Sequence, residues 1–231
     1  MAALLAVLTV AGCHSGHPTA TPTAGSTPPL SPTTSATPAD TLKQLATVAA
    51  AASYRATYTA RQSHPATTAT WQLWRTPTSL RVDVVTPRVT ATLIVTPKAS
   101  YSCRAAKHHK TCFRVAKAGQ PVPAPFHLLA QPLFSTNVDI LAKHSDSYVV
   151  TATAPEQGSA RVPAATCFAL RPLAGAPKPR VEQATYCFSA AGVLTSITYP
   201  SGNVVRLRHV TMTAPARGAF APYSSPTPLP G

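Results

Sequence analysis

Cysteine is the residue type with the most distinctive chemistry in this chain, and its five copies fall into two groups. Cys13 follows an apolar run over residues 2–11, which has the length of a signal-peptide core rather than of a membrane-spanning helix. This run predicts export to an oxidising compartment. There, an even number of thiols favours two disulfide bonds, and four cysteines remain for them: Cys103, Cys112, Cys167 and Cys187.

The spacing of these four cysteines predicts how they pair. Cys103 and Cys112 flank a short polar loop, and Cys167 and Cys187 flank a longer stretch with a Pro-rich turn, AGAPKP. Each pair would join the two arms of a β-hairpin. On a chain-entropy model each bond contributes about 2–4 kcal/mol, with the longer loop contributing somewhat more.

A zinc site is the alternative for the first pair. His108 and His109 lie between the two cysteines and are, like cysteine, ligand types that zinc prefers. The spacing is cramped, however, and Lys107 and Lys110 would repel a divalent cation. We therefore predict a disulfide bond here and no metal.

Phenylalanine directly follows cysteine three times, as Phe113, Phe168 and Phe188. Because side chains alternate across a strand, the three rings should share the sheet face opposite the sulfurs, with Phe168 paired to Tyr186. This face is either a packed core or the wall of an apolar ligand cavity. In the second hypothesis a cavity of at least ~300 Å³ lies under a helical lid, and its wall is completed by Trp71, Trp74, Leu93 and Val95.

Other catalytic chemistry is not indicated. The chain has no G-x-S-x-G, P-loop, G-x-G-x-x-G or H-E-x-x-H motif, and only six carboxylates. The eight histidines are scattered. We predict a protein that is not an enzyme and that needs no cofactor.

The charge balance of the 231-residue chain is strongly basic, with 20 Lys and Arg against six Asp and Glu and a formal net charge of +14. For an exported protein this favours contact with anionic lipid headgroups or wall polymers, rather than with nucleic acid. A basic surface without any partner is the alternative.

The composition divides the chain into four segments. We predict a signal peptide over 1–12, and Cys13 with a disordered Thr/Pro-rich spacer over 13–40. One folded domain is expected over 41–213, followed by a loose Pro-rich tail over 214–231.

Within the domain, the hydrophobic pattern changes its period several times. Helical spacing over 41–52, with Asp40 as N-cap, is followed by alternation typical of strands, and helical spacing returns over 126–143, broken at Pro132. Further strands follow. The fold class is therefore α+β, with one antiparallel sheet, whose predicted strands are 54–61, 68–75, 79–86, 89–96, 99–103, 112–116, 147–154, 165–171, 181–188, 193–199 and 203–211.

The sequence Val10-Ala11-Gly12-Cys13 resembles a bacterial lipobox. In that motif the chain is cleaved just before the cysteine, whose thiol carries a diacylglycerol. The resemblance implies that Cys13 is a lipidated N-terminus that anchors the protein on the extracytoplasmic face of the cell membrane.

The domain resembles the LolA-like superfamily, most closely the actinobacterial lipoproteins of the LppX and LprG type. The matching segments are SYRATYTA, WQLWRTPTSLRVDVV, ATLIVTPKASYSC and FSAAGVLTSITYPSGNVVRLRHV. The resemblance implies a curved half-barrel with a short N-terminal helix and a helical lid, whose concave apolar face holds acyl chains.

Two functions follow as hypotheses. The first is an anchored protein that binds or carries a lipid or another hydrophobic ligand. The alternative is a sensory, regulatory or cell-wall accessory ectodomain that binds another protein without catalysis. A cavity under the helical lid favours the first hypothesis, and a packed face favours the second.

Overall fold

The computed structural model describes residues 36–228, apart from residues 64, 108, 129 and 179. The predicted signal peptide, Cys13 and most of the predicted spacer lie outside the described residues. Nothing in the structure therefore bears on them.

The described chain forms one large sheet with a helical layer on one side. The helices are α1 (Pro38–Ala51), α2 (Ala130–Leu133) and α3 (Thr136–His144). The strands are β1 (Tyr54–Gln62), β2 (Thr67–Arg75), β3 (Leu80–Val85), β4 (Thr90–Val95), β5 (Ala99–Ala106), β6 (His109–Lys117), β7 (Tyr148–Glu156), β8 (Ala165–Pro172), β9 (Ala184–Ser189), β10 (Leu194–Thr198), β11 (Val204–Thr211) and β12 (Thr227–Pro228).

Two antiparallel meanders form the sheet, which has the order β12-β6-β5-β4-β3-β2-β1-β11-β10-β9-β8-β7. Strands β1–β6 are one meander and β7–β11 are the other. They meet where β1 pairs antiparallel with β11. The two ends of the sheet, β12 and β7, are not paired with each other, so the sheet is open.

The connection between β6 and β7 explains where the helices lie. These strands stand near opposite ends of the sheet, so the chain between them must cross the sheet, and it carries α2 and α3. The helical layer touches β3 through α2 and β7 through α1. Those strands are seven spacings apart, or about 34 Å, whereas two packed helices cover only about 20 Å. The sheet therefore curves around the helices.

The first helix is fixed at both ends. Thr37 is its N-cap, and the Thr37 hydroxyl accepts a hydrogen bond from the Asp40 N–H (3.2 Å) while an Asp40 carboxylate oxygen accepts one from the Thr37 N–H (3.2 Å). At the other end, Arg75 of β2 donates to the carbonyl oxygens of Ala49 (3.2 Å) and Ala50 (3.3 Å). The prediction of Asp40 as N-cap is wrong by three residues, because a capping box places the acidic residue at the third helical position.

The predicted strands agree with the observed ones to within three residues at every end. The largest differences, of three residues each, are at the end of β5 and the start of β6, which both extend further toward the turn than predicted, and at the start of β9, which begins later. The helical segment breaks between Leu133 and Thr136, just after Pro132, as the sequence indicates.

The predicted loose tail is instead partly ordered. Arg217–Phe220 forms a 3-10 turn, and β12 pairs parallel with β6. Phe220 and Tyr223 pack against Ile94 and the cystine of Cys103 and Cys112. We call residues 214–228 the C-terminal strap. The abundance of proline in it excludes long helices and strands, but does not prevent docking of aromatic side chains.

None of the helices in the described part of the chain has the length and apolar character needed to cross a membrane.

Candidate functional site

The two predicted cysteine pairings are present in the structure. Cys103 is bonded to Cys112 and Cys167 to Cys187, in each case between residues that stand directly opposite each other on neighbouring strands. The sulfur atoms of the first pair are therefore not available to zinc. Among residues 36–228 as described, no group of three or more His, Cys, Asp or Glu side chains is placed to hold a metal ion.

The sheet has two faces, which we call the helix face and the outer face. The helix face packs against the helical layer and carries Leu73, Val82, Phe168 and Tyr186 in one core cluster with residues of all three helices. The outer face carries the cystines. As the alternation of side chains predicts, Phe168 lies opposite Tyr186 in the register of β8 and β9.

Six of the seven predicted lining residues belong to the hydrophobic clusters of the helix face. Phe168 and Phe188 are each 1% exposed, and Trp71 and Leu93 are buried. Val95 and Phe113 are half-buried and pack around Leu93, beneath Val122 and the turn that follows it. The residues predicted to line a cavity therefore do lie on one face of the sheet, with Trp74 as the exception.

Trp74 lies on the outer face. It follows Leu73 directly, so the alternation that buries Leu73 turns Trp74 outward. The guanidinium of Arg81 stacks 4.9 Å from the centre of its ring, and the same Arg81 binds Asp83 through two hydrogen bonds of 2.9 and 2.8 Å. The prediction of Trp74 as a ligand-lining residue is therefore wrong.

The helix face is filled by the protein's own side chains. The ring of Phe134, in the turn between α2 and α3, lies 4.9 Å from that of Tyr58, and the Tyr58 hydroxyl donates to the Leu194 carbonyl (2.9 Å). Burial raises the pKa of Tyr58 well above its ordinary value. Val138 and Leu141 of α3 join the same cluster. The region under the predicted lid is therefore core.

The outer face is basic in its centre. Arg55 and Arg61 of β1, and Arg206 and Arg208 of β11, are exposed, and each alternates with buried residues of the same strand. The Arg208 Nε donates to the Thr59 hydroxyl (2.7 Å). These four arginines form what we call the arginine patch.

The described strands of the outer face carry two carboxylates, Asp83 and Glu156. They offset little of the positive charge of the arginine patch. Asp83 is already paired with Arg81. The Glu156 carboxylate accepts hydrogen bonds from the hydroxyls of Ser196 (2.8 Å) and Thr195 (3.1 Å), and lies 4.0 Å from the nearest guanidinium nitrogen of Arg206. An anionic partner would therefore meet the guanidinium groups of Arg55, Arg61 and Arg208, none of which forms a salt bridge with a described carboxylate.

A groove of about 520 Å³ crosses the sheet from β7 to the end of β10. Val149 and Thr151 of β7, Ala169 and Arg171 of β8, and Thr185 of β9 line it. These residues have the parity of the cysteines on β8 and β9, so the groove opens on the outer face. It does not lie beneath the helices, where the lipid hypothesis requires a cavity.

Tyr199 borders the far end of the groove, but its side chain packs against the core cluster of the helix face. Burial and, secondly, the negative charge of Glu182 raise the pKa of Tyr199 to about 12. Burial likewise raises the pKa of the neighbouring Tyr186. The positive charge that faces the groove is that of Arg171 on the outer face.

Strand β7 lies at an edge of the sheet, and none of the described residues pairs with its outward side. It stands at the end of the strand order, and its residues from Val149 to Pro155 are exposed, except for half-buried Val150. The sequence analysis did not identify Arg171 or this edge as functional. The absence of any charge between Val149 and Ala154 was visible in the sequence, but the edge position was not.

Comparison with known proteins gives no family and no curated relative: no family model matches the chain, and no curated protein matches it. Among solved structures, the Pseudomonas aeruginosa MucA/MucB complex aligns at 12% identity and a TM-score of 0.48, over 80% of this chain and 60% of that chain. MucB in complex with MucA(peri) aligns at 13% identity and 0.43, over 80% and 59%. MucB alone aligns at 11% identity and 0.46, over 78% and 60%.

The chain thus spans about 60% of the length of the MucB chains that it resembles. Similarity of this size carries no information about function. The function must be argued from the residues of this chain.

Proposed function

We propose that this chain is a membrane-anchored extracytoplasmic ectodomain that binds another protein and does not catalyse a reaction. The lipidated Cys13 would supply the anchor, and residues 14–35 a tether. The binding surfaces would be the outer face and the free edge of the sheet, because the helix face is occupied by the core.

One observation carries the choice between protein binding and lipid carriage. Phe168 and Phe188, the central residues of the predicted cavity wall, are each 1% exposed and pack with residues of α1 and α3. An acyl chain could enter only if the helices left the sheet. That movement would expose the largest apolar cluster of the molecule, and burial of such surface contributes about 25 cal/mol per Å².

Mass spectrometry of an organic extract, made from the full-length protein purified from its own membranes, tests this proposal. We expect no lipid at one molecule per chain beyond the acyl groups on Cys13. A non-covalently bound lipid at that ratio would contradict the proposal and restore the carrier hypothesis.

Photo-crosslinking in the producing cells tests directly whether another protein binds to the proposed surfaces. A photoreactive residue in place of Thr70, on the outer face, or Thr153, on β7, should form adducts with another protein. The same residue in place of exposed Val48, on α1, is the control. Adducts only from position 48 would place the partner on the helices and contradict the proposed binding surface.

A second candidate, contact with anionic headgroups or wall polymers, is favoured by the arginine patch. Guanidinium groups bind phosphate oxygens in a bidentate geometry. Sedimentation with phosphatidylglycerol vesicles, compared with phosphatidylcholine vesicles, measures this contact on the protein without its lipid. The joint variant Arg55→Gln and Arg206→Gln should weaken it.

A further inference from the structure

We infer that the free edge of β7 receives an extended, acidic segment of the partner protein, which pairs with it as an additional strand. This inference rests on the proposed function and specifies the place and chemistry of binding. Three features of the molecule carry it: the difference between the two sheet edges, the neutral character of β7, and the groove beside it.

The chain covers one end of its sheet and leaves the other open. At the first end, Thr227 and Pro228 pair with Phe113 and Arg114 of β6, and the strap that leads to them is docked on the outer face. At the other end, β7 is nine residues long, and no described residue pairs with its outward edge.

Exposed edge strands are normally protected by lysines, inward charges, prolines or bulges, because their unpaired N–H and C=O groups attract other strands. In β7, Pro155 and an irregularity between Thr153 and Glu156 protect only the last residues. From Val149 to Ala154 the strand carries no charge and no proline. These six residues are an unprotected template for strand addition.

The groove lies where side chains of an added strand would project. Such a strand stands about 4.8 Å from β7, so its outer-face side chains would lie beside Val149 and Thr151, the first wall of the groove. Arg171 is opposite Val149 in the register of β7 and β8, and it is exposed. Its strand would lie two strand spacings, about 10 Å, from the added strand. An arginine and a glutamate side chain can together bridge that distance.

The net charge of the chain favours an acidic segment of another protein over a second copy of this chain at the β7 edge. A second copy could also pair through β7, but it would bring together two chains that each carry a formal net charge of +14. An acidic segment instead gains from the same charge, and its carboxylates match the guanidinium of Arg171. The occupant is therefore an acidic stretch of another protein, without proline at the positions whose N–H groups pair with β7.

A displayed library of random 12-residue peptides, selected against the full-length protein, tests the inference without knowledge of the partner. We expect the enriched peptides to be acidic, with alternating β-branched residues. Thr151→Glu and Arg171→Gln should each weaken their binding about tenfold or more. Thr47→Glu is the matched control, because Thr47 is also an exposed threonine but lies on α1, outside the proposed binding surfaces, and it should leave the affinity unchanged.

Backbone pairing is tested separately from charge. Two versions of an enriched peptide are N-methylated at alternate residues, one at the odd and one at the even positions. Because a strand presents alternate N–H groups to one neighbour, only one version should lose binding. Hydrogen exchange of the β7 amides should slow when the unmethylated peptide is bound.

Several results would overturn the inference: no enrichment, equal tolerance of both methylated peptides, or an equal loss with Thr47→Glu. A dimer of the protein that Thr151→Glu dissociates would overturn it in favour of a second copy. None of these results bears on whether the extract contains a lipid. Failure of the strand-addition site is thus distinguishable from failure of the proposed function.

Discussion

Gly192, in the turn between β9 and β10, shows how closely the first helix approaches the sheet. Its φ of +73° lies in the left-handed region, and an added Cβ would fall 2.7 Å from the Ala49 Cα and from the Val48 carbonyl carbon. Real Cβ atoms do not come that close to backbone. Two separate constraints therefore require glycine at position 192: its own left-handed backbone conformation and the close approach of the α1 backbone.

Gly192→Ala separates these two requirements when it is compared with Gly119→Ala. Gly119 has a similar φ of +72°, but its Cβ would meet nothing within 4 Å. We expect Gly119→Ala to cost about 1–2 kcal/mol and Gly192→Ala to cost about 1–3 kcal/mol more. Urea denaturation measures both. Equal losses would mean that α1 yields to the added methyl group.

The buried tyrosines set a limit on stability at alkaline pH. The pKa of Tyr199 is raised to about 12, and burial raises that of Tyr58 further, whereas the phenols of the unfolded chain ionise near pH 10. Their contribution is complete below pH 10 and is lost as the pH rises from 10 through 12. The free energy of unfolding should therefore fall in that window. Tyr199→Phe should make the fall less steep, and an unchanged slope would contradict the raised pKa.

At the scale of elements, the C-terminal strap follows β11 and docks on the outer face of the first meander, from β3 to β6. Phe220 and Tyr223 pack on Ile94, and the Arg81 Nη1 donates to the Ala219 carbonyl (3.1 Å). The Tyr223 hydroxyl and the Thr92 hydroxyl are both buried and lie near each other, but neither makes a hydrogen bond of good geometry with any described residue. The strap is thus held by its rings and by backbone polar groups, namely the Ala219 carbonyl and the pairing of β12 with β6.

Two substitutions in the strap should have opposite consequences. Phe220→Ala removes a half-buried ring and should cost about 1–2 kcal/mol. Tyr223→Phe removes a buried hydroxyl that makes no hydrogen bond of good geometry, so it should leave the free energy of unfolding unchanged or raise it. Thermal denaturation of the two variants checks this. A large loss with Tyr223→Phe would show that its hydroxyl is satisfied in solution.

An element can be recognised from the sequence when the pattern that indicates it depends on residues close together in the chain. Period-two alternation identified the strands, and the cysteine spacing identified both hairpin bonds, because each depends on neighbouring residues. The strap was missed because Phe220 and Tyr223 contact Ile94, more than a hundred residues away. Trp74 was placed on the wrong face because Trp71 and Trp74 were taken as a group, although an odd separation puts them on opposite faces.

At the scale of the whole molecule, the basic charge, the tether and the predicted anchor act together. Under the proposed function, a domain with a formal net charge of +14, held by a short tether at a membrane, would stay close to anionic headgroups. A partner that docks on the outer face must compete with that surface. Acidic character in the partner segment would help it to do so.

Cys13→Ala tests the anchor. We expect the variant to be recovered in the soluble fraction, or as the uncleaved form, because two or more acyl chains are what hold such a protein stably on a bilayer. Membrane fractionation with the unsubstituted chain as reference measures the change. A variant that remains membrane-bound and is processed normally would contradict lipidation at this residue.

The junction of β1 with β11 determines when the molecule can be completed as the chain is made. Every other neighbouring pair within the two meanders is consecutive in sequence, but β1 must wait for residues 204–211, about 150 positions later. Until then, β1 presents an open edge, and α1 lacks the strands of the second meander on which it packs. If the chain is exported with its N-terminus first, the strands of the first meander can pair as they emerge. The helical layer cannot complete its packing until the second meander has formed. Under the proposed export, the sheet would be completed on the far side of the membrane, once β11 has crossed it.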